Sequence, residues 1–227
     1  MSSTANNKDT SLFNVIKKDW YILILILATL AFGIYVYPIL PDKVPSHWNI
    51  HGQVDGWSDK SFAVWFFPLL NLGLYALFLF LPRIDPRREN YSRFFGTYRV
   101  IRIFLHVFFA LLYMVTLVVS LGYPLKVDFF VKFAVSLLFL VLGNYMGKIK
   151  HNYFVGIKTP WTLANEEVWQ ITHRFAGPLW VCGGILGMVL SFFTAAWAGY
   201  IFFAILITIG LVPVVYSYFV YKRVVPK

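Results

Sequence analysis

Five histidines and ten carboxylates are the side chains here best suited to acid–base or metal-ligand chemistry, and two groups of them stand out by spacing. The first lies in LPDKVPSHWNIHGQVDGWSDK, residues 40–60, where His47, His51 and Asp55 recur at intervals of four. Imidazole and carboxylate are zinc ligands. Two histidines and one carboxylate fall short of a closed four-ligand set, and no metal is assigned. The same stretch carries Trp48, Asn49 and Trp57. Aromatic residues beside a few polar groups suit a peptide-binding surface. The second group lies in GNYMGKIKHNYFVGIKTPWTLANEEVWQITHRFAG, residues 143–177, with His151, Glu166, Glu167 and His173. Acid–base catalysis needs such groups within reach of a substrate. The chain has no nucleophile elbow, no phosphate loop and no HExxH. It is read as neither an enzyme nor a cofactor-binding protein.

The elements that must position these residues are membrane helices. Hydrophobic residues make up 59% of the chain and charged residues 13%, about half the charge of a soluble domain. A span needs about 20 mostly apolar residues. The candidates are 20–37, 62–81, 100–121, 129–145, 178–194 and 200–221. Tyrosine and tryptophan flank many of their ends, as expected of an interfacial belt. The fold class is therefore an all-α integral membrane protein, a six-helix bundle.

The net charge of +10 does not point to nucleic acid. Lys8, Lys17 and Lys18 precede the first span. Arg83, Arg87, Arg88 and Arg93 fill the second connection. Lys148, Lys150, Lys158 and Arg174 lie in the fourth, and Lys222, Arg223 and Lys227 close the chain. The first, third and fifth connections hold only Lys43, Lys60 and Lys126. The positive-inside rule then puts both termini in the cytoplasm, the 39–61 loop outside and the fourth connection inside. The basic segments suit anionic lipid. No small-residue cleavage site follows the first apolar run, so it is read as a span and not a signal peptide. The lone Cys182 reads as a small packing residue.

Residues 1–19 form a cytoplasmic tail, 20–121 hold three spans, and 122–227 hold the other three with the 143–177 motif. In the first loop, extended backbone puts His47, Asn49 and His51 on one face and Trp48 on the other. Gly52 and Asp55-Gly56 are turn signals, so the loop reads as a hairpin-like cap. The second connection reads as a solvated turn. In the motif, Thr159-Pro160-Trp161 makes a rigid turn. Asn165 is an N-cap, and Glu166 and Glu167 occupy the first turn of a helix. That helix stacks Trp169 and His173 one turn apart, ends at Gly177 and gives way to a new helix at Pro178. It is expected to be a short interfacial amphipathic helix. His106 reads as lying about one turn inside its span, near polar groups such as Asn71. Asp128 and Lys132 read as an i, i+4 pair whose lysine snorkels.

The motif resembles the signature of the SdpI immunity proteins at Gly143, Asn144, Asn152, Gly156–Leu163, Val168, Trp169, Thr172, His173, Arg174 and Gly177. The 40–60 loop resembles the domain of unknown function that precedes that core, at Pro41, Pro45, His47, Asn49, Gly52, Asp55 and Lys60. The resemblance implies a bacterial protein of the cell membrane that protects its producer from a secreted peptide toxin. It also implies recruitment of a cytoplasmic autorepressor to the membrane. The expected toxin site is His47, Trp48, Asn49, His51, Asp55 and Trp57. The expected repressor-docking surface is Asn144, Asn152, Lys158, Thr159, Pro160, Trp161, Trp169, His173 and Arg174. A small transporter or exporter of a peptide or ion is the alternative.

Overall fold

The computed structural model describes residues 12–49 and 52–225. Six helices among them are long and apolar enough to cross a membrane. A short helix α1 (Leu12–Lys18) leads into α2 (Trp20–Val36), which runs on through a 3₁₀ turn, Tyr37–Ile39. A β-hairpin follows, β1 (Lys43–Trp48) paired with β2 (Val54–Asp59). Then come α3 (Lys60–Ile84), a 3₁₀ turn (Arg88–Arg93), α4 (Phe95–Ser120) and α5 (Val127–Met146). The chain continues through a one-turn α6 (Pro160–Ala164), α7 (Glu166–Ser191) and α8 (Ala196–Val224). The expected all-α class is thus completed by one small antiparallel sheet.

The chain forms two compact units. One comprises the chain up to Phe80 with Arg102–Val131. The other comprises Leu81–Ile101 with Lys132–Lys227. In the first, a core of Val36, Leu40, Val44, Ala63, Val64, Tyr113 and Leu117 ties the hairpin's first strand to the helices. The Tyr113 hydroxyl donates to the Val64 carbonyl at 3.0 Å. A Cβ on Gly33 would collide with that hydroxyl, so only glycine lets the two helices approach here.

The same unit buries an ion pair. Arg102 donates to Asp19 at 2.6 Å, and both side chains are 1% exposed. Neither the charge pattern nor the hydropathy pattern revealed it. His106 lies deeper than expected. Its helix begins at Phe95, which puts it about 16 Å along the axis, near mid-span and not one turn in. Asn71, near the middle of α3, meets it there as anticipated, with Asn71 Oδ1 2.5 Å from His106 Nδ1. Asn71 also donates to the His106 carbonyl at 3.2 Å.

In the second unit, α7 and α8 pack as the antiparallel neighbours that their short connection requires. Trp180 donates to the Ile209 carbonyl at 2.8 Å, and Phe175 stacks on Tyr216 at 4.1 Å. Helices α5 and α7 cross at glycine. A Cβ on Gly143 would lie 2.8 Å from the Gly177 carbonyl, and one on Gly177 would lie 3.0 Å from that of Gly143. Close backbone approach of this kind is how helices associate within a bilayer. It also corrects the expected helix boundary. Gly177 is a packing residue, not a C-cap, and Pro178 sits inside α7. No separate amphipathic helix precedes the fifth span; residues 166–177 are its first three turns. Next to this crossing, Gly183 and Gly184 take the packed face, so Cys182 is exposed on the other side and not packed inside. Lys132 does not snorkel to an open surface. It is 4% exposed and donates to the Phe193 carbonyl at 2.7 Å.

Removing one partner of a buried ion pair leaves an uncompensated charge, at a cost of about 3–5 kcal/mol. Arg102→Leu is therefore expected to lower the melting temperature of the detergent-solubilised protein sharply. Asp19→Leu in addition should restore much of the loss. Additive losses in the double variant would contradict direct pairing.

Candidate functional site

The first candidate region is the hairpin. The sheet pairs Lys43 with Asp59, Pro45 with Trp57, and His47 with Gly56. The register shifts on both sides of His47, and this breaks the simple alternation expected of the strand. Asn49 lies beyond β1 and shapes the turn. Its Oδ1 accepts from the Gln53 amide at 3.0 Å, and its carbonyl accepts from the Gly52 amide at 2.9 Å. Gly52 has φ +72°, the left-handed backbone that glycine adopts freely. The second turn signal fails, because Asp55 and Gly56 lie within β2. Gly56 is needed there for a different reason: a Cβ would sit 2.7 Å from that of His47.

His47 Nδ1 meets Asp55 Oδ1 at 2.5 Å on the exposed face. Trp57 is 60% exposed, while Trp48 and Asn49 are half-buried. His51 lies outside the described residues. Among the described residues no group of three histidine, cysteine or carboxylate side chains is placed to hold a metal. The charges of the hairpin are matched in pairs. Lys43 meets Asp59 at 2.7 Å and Lys60 meets Asp42 at 2.9 Å. The hydrogen bond from Lys60 holds the Asp42 carboxyl below its ordinary pKa.

Behind the hairpin lies a cavity of about 280 Å³ that no residue spacing signals. Pro45, Ser46, Trp48 and Ser58 form its hairpin wall, and Phe62, Phe66, Leu112, Val115 and Val131 are among the helix residues lining it.

The second region is the 143–177 motif, which is organised around buried side chains. Asn152 is fully buried. Its amide donates to the carbonyls of Lys150 at 2.8 Å and Val155 at 2.9 Å. Its oxygen accepts from the amides of Phe154 at 2.9 Å and Val155 at 2.7 Å. One side chain thus satisfies the backbone of a stretch without regular structure.

Trp169 and His173 stack at 4.0 Å as the one-turn spacing predicts, with His151 on Trp169 at 5.1 Å. Trp169 Nε1 donates to the Ile149 carbonyl at 2.9 Å. His173 Nε2 accepts from the Ile157 amide at 2.9 Å, and its Nδ1 lies 2.8 Å from the Trp169 carbonyl. The ring must be neutral to serve both contacts. Gly156, at φ +125°, passes so close that a Cβ would meet His173 Nε2 at 2.5 Å. Thr159 caps α6 through a reciprocal box with Thr162 and reaches Ser217 of α8 at 3.0 Å. Trp161 packs on Tyr218 at 5.1 Å. Asn165 caps α7 as expected, accepting from the amides of Glu167 and Val168.

The second connection is not a solvated turn. Asp85 and Tyr91 are each 2% exposed. Asp85 accepts from the Tyr153 amide at 2.9 Å and the Tyr91 hydroxyl at 3.1 Å. Burial, and then the Asp85 carboxylate, raise the Tyr91 pKa and keep it a donor. Arg87 donates to His151 Nε2 and, at 3.1 Å, to the Leu163 carbonyl. Asn90 donates to the His151 carbonyl at 2.8 Å. These residues carry no spacing signal. The mixed acidic and aromatic content of a supposedly basic turn was the one hint.

The expected docking set therefore splits. Asn152, Thr159, Trp169 and His173 are buried, whereas Asn144, Lys158, Pro160 and Arg174 are exposed and Trp161 is half-buried.

Residues 148–217 match the SdpI/YfhL protein family, and residues 24–72 match a domain of unknown function, DUF1648. Residues 148–217 thus carry an SdpI/YfhL-like segment. The immunity protein SdpI of Bacillus subtilis strain 168 is 28% identical over 207 residues, covering 91% of this chain and 97% of that protein. No solved structure matches. The DUF1648 match extends beyond the loop, from within α2 through the hairpin into α3. The SdpI/YfhL match covers most of the motif with α7 and much of α8. Asp85, Arg87, Asn90 and Tyr91 lie outside both matched ranges, yet they brace the family motif.

Asn152→Ala would strip side-chain partners from two carbonyls and two amides. At about 1 kcal/mol per lost hydrogen bond, it should cost on the order of 4 kcal/mol, read as a lower melting temperature. His151 supplies a pH dependence. Burial, and then the Arg87 cation, hold its pKa below the ordinary 6.5. The unfolded chain then binds a proton that the folded protein refuses. Stability should be complete above pH 6.5 and fall as the pH drops below that value. A melting curve measured from pH 7.5 to 5 checks this, and His151→Gln should flatten it.

Proposed function

We propose that this protein is an immunity protein of the bacterial cell membrane, guarding its producer against a secreted antimicrobial peptide toxin. The observation that carries this is the similarity over 91% of the chain to the Bacillus subtilis immunity protein. That similarity takes in both the hairpin and the motif.

The distribution of cations supports an orientation with both termini in the cytoplasm. The hairpin then faces outward, where a secreted peptide arrives, and the motif faces inward. His47, Trp48, Asn49, Asp55 and Trp57 contribute the outer contact surface. On the inner side, recruitment of a cytoplasmic autorepressor falls to the exposed members of the motif. Lys158 and Arg174 supply charge, and Asn144, Pro160 and Trp161 supply contact area. Trp169, His173, Asn152 and Thr159 hold that surface in place without touching the partner. Immunity of this kind calls for binding, not for catalysis.

The Asn71–His106 pair favours one further reading, because ionisable groups within spans often mark ion or substrate paths. In an ion-coupled exporter, protection would collapse when the proton gradient is dissipated.

The test expresses the protein in a sensitive bacterium challenged with the sporulation-delay-type peptide. Survival should return to that of unchallenged cells. Killing at confirmed membrane levels of the protein would overturn the immunity reading for that peptide. Lys158→Glu with Arg174→Glu should preserve survival and abolish recruitment of a tagged repressor to the membrane. Loss of both would place those residues in the protective function itself.

A further inference from the structure

We infer that the cavity behind the hairpin is the seat of an apolar segment of the secreted peptide. This rests on the immunity reading and adds to it where, and by what chemistry, the peptide is held. The hairpin's exposed face offers few unengaged charges, since Lys43 pairs with Asp59, Lys60 pairs with Asp42, and Asp55 is in contact with His47. The cavity offers the opposite. Apart from Ser46, Ser58 and Thr116, its lining is apolar, and its volume is about 280 Å³, near the lower end of the range for ligand sites.

Its rim is accessible. Ser46 is exposed on the hairpin side, and Phe62, Phe66 and Val131 are 54%, 41% and 36% exposed on the helices. An occupant arriving along the membrane surface therefore meets the mouth directly.

A lipid chain could fill an apolar space, but the hairpin wall favours a peptide. A two-stranded sheet has an open edge on each strand, and an open edge pairs with extended peptide backbone. An alkyl chain has no groups to pair with it. A peptide that lays its backbone along the hairpin and drops apolar side chains into the cavity uses both features at once.

Cys182 is the chain's one cysteine, so Cys182→Ser gives a clean background for labelling. Ser46→Cys places a thiol at the cavity mouth, and Gln53→Cys places one on the turn, outside the lining. Wild-type protein must first protect cells against the sporulation-delay-type peptide; failure there overturns the immunity reading and this inference together. With protection established, the same peptide is added to the full-length variants in lipid nanodiscs, and maleimide labelling is timed.

At about ten times Kd the peptide should slow labelling at position 46 about tenfold, by occupancy alone, and leave position 53 unchanged. Equal slowing at both positions would mean the peptide covers the hairpin at large, and no slowing at position 46 would mean it binds elsewhere. Either result overturns the cavity as its seat. Slow labelling at position 46 in nanodiscs but not in detergent, indifferent to peptide, would assign the space to lipid. Val131→Trp adds bulk at an exposed rim position. It should abolish protection at unchanged protein level, and full protection by that variant would also overturn the proposal.

Discussion

Backbone amides and carbonyls that leave regular structure next to a bilayer must find partners within the protein. Between α5 and α6 the chain runs from Gly147 to Thr159 without a helix or strand. Its polar backbone is served instead by side chains. Asn152 serves four groups, Asp85 serves Tyr153, Trp169 serves Ile149, and His173 serves Ile157. Two of these side chains project from the first turns of α7. The path of the connection is therefore fixed only if α7 is already a helix at Trp169 and stays straight enough to present His173 four residues later. A break at Gly177, as first expected, would have loosened that support. The continuous helix, locked onto α5 through the Gly143–Gly177 crossing, removes that freedom.

The other unit is held by a different balance. Its hairpin shows two lysine–aspartate pairs near the surface and a His47–Asp55 contact, and surface pairs contribute at most about 1 kcal/mol each. They cannot hold a two-stranded sheet in place by themselves, since an isolated hairpin is marginal. Val44, fully buried beside Val64 and Leu117, anchors β1 into the helical core instead. Burial of one strand residue at full transfer value is worth about 2 kcal/mol, more than any one of the surface pairs. The ion pairs then set register and remove net charge from the face they decorate. Arg102 and Asp19 work under the opposite rule. Both are buried, so their pairing is a condition for burial at all.

The spans were legible because a bilayer imposes length and apolarity together, and nothing else in the chain imitates that pattern. The N-cap at Asn165 and the stack of Trp169 on His173 were legible because each depends on residues within one helical turn. The failures share a cause as well. Gly177-Pro178 carries the local signature of one helix ending and another starting, but it is overridden by a backbone contact with Gly143, thirty-four residues away in sequence. Asp55-Gly56 has the composition of a turn, yet its glycine answers to a close cross-strand approach by His47. Asp85, Arg87 and Tyr91 looked like loop chemistry, because their partners belong to a segment sixty residues further on. His106 was placed too shallow because its helix starts five residues before its apolar run. Local chemistry could be read; long-range contact could not.

The split within the motif changes what mutagenesis of it can show. A residue type recurring in a signature is compatible with contact to a partner or with support of the surface that makes contact. Trp169 and His173 are buried and bonded to backbone, so their loss would collapse the connection and abolish any function carried by it. Such a result could not separate recognition from folding. Lys158 and Arg174 are exposed. Changing their charge alters what a partner meets while leaving the Asn152 network intact. Any claim that this surface recognises another protein has to rest on the exposed Asn144, Lys158, Pro160 and Arg174 and on Trp161, which is half-buried against Tyr218 and contributes to both roles.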